Sequence, residues 1–474
     1  MTALWTARDA AAATGGRASG TWTATGVSID TRTIAAGDLF VALTDIRDGH
    51  DFVTDALAKG AAAAMVSRIP DGVPEDRLLI VEDVLEGLTK LGAAGRARTK
   101  AKIIAITGSV GKTTVKDMLR TALSPQGKTH AAEASYNNHW GVPLTLARMP
   151  EDTDFAVIEI GMSNPGEIAP LARLTAPDVA MVTIVAPAHL EAFGVIEGIA
   201  HEKASIFDGL SKGGIAIANA DLETFHILFD KAAEVGAKLI RFGTTAGVEA
   251  RLTDLRLTDE ATVLQATLHG DDILFKLGVP GQHLGLNALA VLAGVDALGG
   301  DVTDAVMALA KWQPVSGRGT REKLMLSPTD NLSISMIDDA FNANPASVAA
   351  GLDVLAASQV DTPGRRIAVL GDMLELGPQG PDLHADLADH PAMDTVDLVY
   401  TVGPLMRHLH HALPGAKRGL HTYTAPEMAQ ALPRDLRPGD TLLIKGSKGI
   451  KVSLVVDALR KLGQAAVDHR RGSR

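Results

Sequence analysis

The run Thr107-Gly108-Ser109-Val110-Gly111-Lys112-Thr113-Thr114 carries the sharpest chemical signal in the chain, because it joins an apolar strand-like stretch (IIAI) to a helical one (VKDMLRTAL). Glycines in such a turn let successive backbone N–H groups wrap a phosphate, and the following helix N-terminus adds positive potential. Lys112 is suited to neutralise β- and γ-phosphates, and the Thr113 hydroxyl to ligate Mg²⁺. The motif has the compact form TGxxGKTT: five positions before Gly111 stands Ile106 rather than the glycine of the full phosphate loop.

Three further residues have types that suit a nucleotide-bound cation. Glu159 ends the buried run FAVIE, at the carboxyl end of a strand, where α/β sheets place their ligands, and it offers hard oxygen donors. A strand-end salt bridge is its structural alternative. His189 follows VAMVTIVAPA, just past another strand, and Lys203 lies on a helix in IAHEKASIF. Taken singly, the first reads equally as a structural histidine and the second as a solvated lysine.

Elements of alternating texture must position these residues. Residues 1–100 mix short strand-like runs (DLFVAL, AAAAMVS, LLIVED) with helical pieces, which predicts a small α/β unit. From 101 to 315, apolar runs at IIAIT, FAVIEIG, VAMVTIV and GIAIANA alternate with helices, the pattern of a parallel sheet with right-handed crossovers. Between Glu249 and Gly278 short alternating strands predict an antiparallel insert. A Pro/Gly/Ser-rich stretch, PVSGRGTRE, reads as a linker, and 316–474 returns to the texture of an open doubly wound sheet. The fold expected is α/β in three domains, with a central phosphate-loop sheet and a Rossmann-like C-terminal domain. The tail HRRGSR is expected to be disordered.

Composition bounds the partners. The 474 residues are 46% hydrophobic and 21% charged with a net charge of -11, so the chain has no global electrostatic footprint for nucleic acid. Aromatics make up 4%, too few for a stacking platform along a single strand. Cysteine is absent, which removes disulfides, thiolate metal sites and cysteine nucleophiles. The N-terminus shows neither basic n-region nor apolar h-region, and the uncharged stretch Leu277–Val295 is interrupted by Pro280, Gln282, His283 and Asn287, so a soluble, cytoplasmic enzyme or binding protein is expected.

The order of motifs is more informative than any one of them. TGSVGKTT, SYNNHWGVPLTL, VIEIGMSNPGEI, APAHLEAFG, the Lys203 helix, GQHLGLNALA, SGRGTRE, DDAFNANPASV, LGDMLELG and KGSKG follow one another along the chain. The series resembles the Mur ligase family, and DDAFNANP with LGDMLELG resembles its D-alanyl-D-alanine-adding branch; SIDTRTIAAGDLFVAL and DGHDF resemble the family's first domain. The resemblance covers all but the last dozen or so residues.

It implies that ATP phosphorylates a peptide carboxylate to an acyl phosphate, which an amine then attacks, joining D-Ala-D-Ala to a UDP-MurNAc-tripeptide of peptidoglycan synthesis with ATP and Mg²⁺ as cofactors. It further implies a monomer. Lys112 and the loop 107–114 would hold ATP, with Thr113 and Glu159 on a first Mg²⁺, His189 at a second, and Lys203 carbamylated into a metal ligand. Asn287 would contact adenine, Arg318 would reach the phosphates, and Asp339 would lie near ribose and γ-phosphate. Asn342 and Asn344 would shape the dipeptide and nucleotide site, with turn formation as their structural alternative. Ser28, Asp30, Thr31 and Arg32 would meet the uridine nucleotide, although Asp30 reads equally as a turn cap, and Asn137 and Asn138 would meet the muramoyl peptide.

Three positions depart from the family pattern: Phe341 stands where tyrosine is common, Leu284 replaces a frequent Asn, and Ser205 stands where an acidic residue often follows. The alternatives kept open are another Mur-type amino-acid ligase, a folylpolyglutamate synthase, or a phosphate-loop regulator without ligase chemistry.

Overall fold

The computed structural model describes residues 3–258, 261–327, 332–361 and 363–472. Three large sheets follow one another along the chain. The first has five strands in the order Arg17–Ala18, Leu78–Ile80, Ala63–Val66, Asp38–Val41, Gly26–Ser28, of which Arg17–Ala18 alone runs antiparallel to its neighbour. It is fastened to the middle of the chain from several sides. The Trp5 indole donates to the Ala147 carbonyl at 2.8 Å, the Arg98 guanidinium stacks 4.0 Å from the Trp5 ring, and Arg148 Nε donates to Val27 O at 2.6 Å.

The second sheet has nine strands. Lys102–Thr107 lies third from one edge, between Phe155–Glu159 and Val179–Val182, and Ile215–Asn219 and Lys238–Gly243 continue the sheet in parallel. Strands buried on both faces read as unbroken apolar runs, which is why IIAI, AVI and VAMV carry no alternation. Register then sets the site: Glu159 pairs with Ile106 and Val182 with Thr107. The phosphate loop, Glu159 and the segment leading to His189 therefore leave the sheet at one level.

Helices Lys112–Leu123 and Gln282–Ala297 cover one face through Val115, Met118, Leu119, Leu289 and Leu292. A side chain at Gly294 would meet Ile104, Met181 and Leu119 at 3.0–3.4 Å, so glycine permits this close helix–sheet approach. The antiparallel strands Ala250–Leu257, Thr262–Leu268 and Asp271–Leu277 are continuous with this sheet. Ala250–Leu257 pairs in parallel with Lys238–Gly243, so the expected antiparallel insert extends this sheet at its edge.

The third sheet orders Thr320–Ser327, Leu332–Asp339, Thr441–Lys445, Arg366–Gly371, Leu398–Val402 and Arg418–Thr422, parallel except for its first strand. Asp339 pairs with Lys445 at the carboxyl ends of their strands. The final helix runs Ser453–Gly472. It continues through the first four residues of the tail expected to be disordered, a correction consistent with unbroken helical periodicity from SLVVDAL onward; the last two residues lie outside the described ones. Among the described residues no helix is long and apolar enough to cross a membrane, and Leu277–Val295 divides between a strand end, a turn and a helix.

Candidate active site

A cavity of about 470 Å³ opens where the carboxyl ends of the second and third sheets face each other. The phosphate loop forms its floor. Gly111 holds φ 87°, and a Cβ there would come within 3.0 Å of Asn287 Oδ1; a Cβ at Gly108 would fall 1.9 Å from Thr183 Oγ1. Only glycine satisfies both positions. Ser109 and Val110 are tied to the neighbouring loop, with Ser109 Oγ donating to Ala186 O at 2.9 Å and Thr183 Oγ1 donating to Val110 O at 2.7 Å. The Lys112 ammonium curls back to the Gly108 carbonyl, and burial holds it below the usual lysine range, opposed by the charge of Glu159. Thr114 lines the cavity beside Thr113, whereas the Thr107 hydroxyl beneath the loop is buried without a hydrogen-bond partner among the described residues.

Glu159 is the buried anion of the site, 2% exposed. The Thr113 hydroxyl lies 3.0 Å from each of its oxygens, Asn137 Nδ2 donates to Oε1 at 2.7 Å, and the Lys116 ammonium stands 3.4 Å from Oε2. A buried carboxylate needs such compensation. Asn137 thus serves Glu159. Asn138 accepts from Gly141 N at 2.9 Å at the start of helix Gly141–Ala147. Both line the cavity; Asn137 gives one amide donor to Glu159, and the Asn138 side-chain oxygen accepts in a turn.

The third sheet supplies the opposite wall. Arg318 reaches back to Ser135 Oγ at 3.2 Å, and its guanidinium lies 4.0 Å from the Phe341 ring. The phenylalanine at the tyrosine position therefore contributes a stacking face. Asp339 pairs with Lys445 at 2.6 Å, and Lys445 also donates to Asn342 O at 3.0 Å. Asn344 lines the cavity and caps helix Pro345–Ala357 in a reciprocal box with Ser347. His189 adopts φ 57° and its Nδ1 pairs with Glu375 of the third sheet's loops, itself at φ 65°.

Lys203 does not line the cavity. It is 1% exposed on helix Ile196–Ala204, and among the described residues no hydrogen bond or ion pair to its ammonium is found. Burial, reinforced by the nearby Lys112 charge, holds it well below the usual lysine range. Among the described residues no three His, Asp or Glu side chains group closely enough to hold a metal. The ligands expected for two cations, Thr113, Glu159, His189 and Lys203, come from four separate segments of the chain.

Ser28, at the end of strand Gly26–Ser28, and Asp30, Thr31 and Arg32 in the turn after it lie outside this cavity. Asp30 accepts from the backbone and the guanidinium of Arg32, with Nη2 at 2.6 Å, and Ser28 Oγ donates to Asp30 O at 3.2 Å. Asp30 is thus a turn cap. Residues not assigned from sequence complete the site: Lys116, Ser135, Glu375, Lys445 and Lys448. A lysine one helical turn after Lys112, and the two lysines of KGSKG, were the available signals.

Comparison with known proteins supports one family. The Mur ligase middle domain matches residues 106–295, and the Mur ligase, glutamate ligase domain matches 328–448. A UDP-N-acetylmuramoyl-tripeptide–D-alanyl-D-alanine ligase of Escherichia coli (strain K12) is 36% identical, covering 92% of this chain and 94% of its own. A crystal structure of MurF from Acinetobacter baumannii superposes with a TM-score of 0.82 at 28% identity, covering 96% of this chain and 99% of that one. The MurF ligase of Thermotoga maritima in complex with ADP gives 0.76 at 27% identity, covering 93% and 98%. Taken with the phosphate loop and the carboxylate it faces, these matches settle the lineage: the chain belongs to the Mur ligase family.

Proposed function

We propose that this chain joins D-alanyl-D-alanine to UDP-N-acetylmuramoyl-tripeptide, forming ADP and phosphate. One observation carries the reading: the phosphate loop, Glu159, Arg318 and Asp339 line a single cavity, in a chain whose relatives of that activity match it nearly end to end. When bound, ATP supplies a phosphoryl group that activates the tripeptide carboxylate for attack by the dipeptide amine.

The residues present suit these groups. The glycine cradle leaves room that a Cβ would fill at positions 108 and 111, and loop N–H groups with Lys112 take the phosphates. Magnesium is ordinarily held by one or two carboxylates plus substrate phosphates, and Thr113 with Glu159 offers that donor set. Arg318, held on the Phe341 face, places a rigid guanidinium where negative charge develops. Asn287 abuts the loop at Gly111, where it would meet the base. Lys203, buried without a partner among the described residues, is suited to carbamylation, which would convert its amine into an oxygen donor, and His189 would stand by for a second cation. Ser28–Arg32 would take the uridine nucleotide, and the wall from Asn342 to Asn344 the dipeptide. The chain would act as a monomer in the cytoplasm, as the family resemblance implies.

A coupled phosphate-release assay with UDP-muramoyl tripeptide and ATP tests the reading. D-Ala-D-Ala should stimulate release, whereas meso-diaminopimelate or glutamate should not; release indifferent to the dipeptide would overturn it.

A further inference from the structure

Helix Lys112–Leu123 carries a second lysine, Lys116, one turn beyond Lys112 and 4% exposed. Its ammonium makes two contacts. It donates to the Ala134 carbonyl at 2.9 Å and stands 3.4 Å from Glu159 Oε2. The Ala134 carbonyl belongs to the segment that holds Ser135 and Asn137. Ser135 Oγ meets the Thr113 hydroxyl at 3.3 Å and accepts from Arg318 at 3.2 Å, while Asn137 donates to the other oxygen of Glu159 at 2.7 Å.

The two carboxylate oxygens are therefore held by different groups, Oε1 by Asn137 and Oε2 by Lys116, and the Thr113 hydroxyl lies between them. We propose that Lys116 is a positioning residue for the metal–nucleotide site, fixing the Glu159 carboxylate and pinning the 134–137 segment against which Arg318 closes. This rests on the reading of the cavity as a Mg²⁺–ATP site.

Two features of the geometry favour this role over simple charge balance. Charge balance alone requires only proximity to Glu159, yet Lys116 also holds a backbone carbonyl of a different segment. That segment in turn touches groups from the phosphate loop and from the third sheet. Groups that orient a ligand's oxygens without touching the ion change metal affinity by about 10–100-fold when removed.

The test uses the full chain and its Lys116→Met and Lys116→Arg variants, with ADP affinity measured by calorimetry with and without Mg²⁺. In Lys116→Met the Kd for ADP should rise about tenfold in Mg²⁺, and little in its absence. The half-saturating Mg²⁺ concentration for ligation should rise in step, and Lys116→Arg should recover most of both. Unchanged ADP affinity in Mg²⁺, or an equal loss with and without Mg²⁺, would overturn the assignment. Should Lys116→Met not fold, Lys116→Gln keeps a donor toward Ala134 and removes the charge, and is judged by the same two outcomes. An unmodified chain that neither binds Mg²⁺–ADP nor ligates would instead refute the underlying reading, since the inference is scored only on the ratio of variant to unmodified chain.

Discussion

His189 and Glu375 meet across the seam between the second and third sheets, imidazole Nδ1 to carboxylate, and both hold left-handed backbone at φ 57° and 65°. Such backbone at residues other than glycine costs about 1–3 kcal/mol each and persists where surrounding structure enforces it. Here the enforcement is mutual: Glu191 N donates to Glu375 O at 3.2 Å, two residues beyond the histidine. The seam that closes the cavity is thus made by two strained loops leaning on each other.

The hydrogen bond from His189 holds the Glu375 carboxyl below the usual range. A carboxyl whose folded value is depressed adds stability above its unfolded pKa of about 4.3, and loses it as pH falls through the folded value. Glu375→Gln should therefore lower Tm at pH 7, by a difference that starts to shrink near the unfolded value of about 4.3 and vanishes only below the depressed folded value. The side chain is 57% exposed, so the effect should stay within about 1 kcal/mol. Thermal melts from pH 7 downward through that folded value check it.

Lys112 makes one backbone contact and otherwise faces the cavity. Lys112→Ala should cut ligation more than about a hundredfold, as for loss of a charge-stabilising donor, with Tm nearly unchanged. Near-normal dipeptide-dependent phosphate release would contradict the role given to it.

Gly108 is packed against Thr183. Gly108→Ala should destabilise the chain by about 1–3 kcal/mol, the cost of overpacking, and abolish nucleotide binding. Adding Thr183→Ala should restore part of the stability, because the nearest obstructing atom is Thr183 Oγ1. Denaturant melts of the two single variants and the double variant measure the coupling.

Lys203 is held well below the usual lysine range, chiefly by burial. The unfolded chain therefore binds its proton more readily than the folded one, so the residue costs stability at neutral pH, and the deficit closes as pH rises through the unfolded lysine value of about 10.4. Lys203→Met should raise Tm at pH 7, with a gain that shrinks toward pH 10 (about where the lysine deprotonates), while lowering activity at least about tenfold. If the neutral amine is carbamylated, removing dissolved CO₂ should lower activity, bicarbonate should restore it, and ¹³C-bicarbonate should label the side chain.

Contiguous residues carried the parts of this site that local backbone geometry builds. The strand, glycine turn and helix of 102–123 are legible because periodicity, glycine placement and phosphate chemistry agree within two dozen residues. The apolar runs likewise announce parallel strands buried on both faces. Glu159 was legible as well, since a carboxylate ending such a run has few structural uses.

Tertiary packing decided which polar groups are free and which are spent. Asn137, Asn138 and Asn344 have the same side chain, yet one serves Glu159 and two hold turns; that depends on where their neighbours fall. The burial of Lys203 is equally invisible along the chain, because a lysine on a helix of mixed polarity has no periodic mark of the domain that will cover it. Contacts such as Arg318 with Ser135, or His189 with Glu375, join residues 183 and 186 positions apart. No local propensity encodes them: they arise when two sheets, each folded by its own core, bring the carboxyl ends of their strands together.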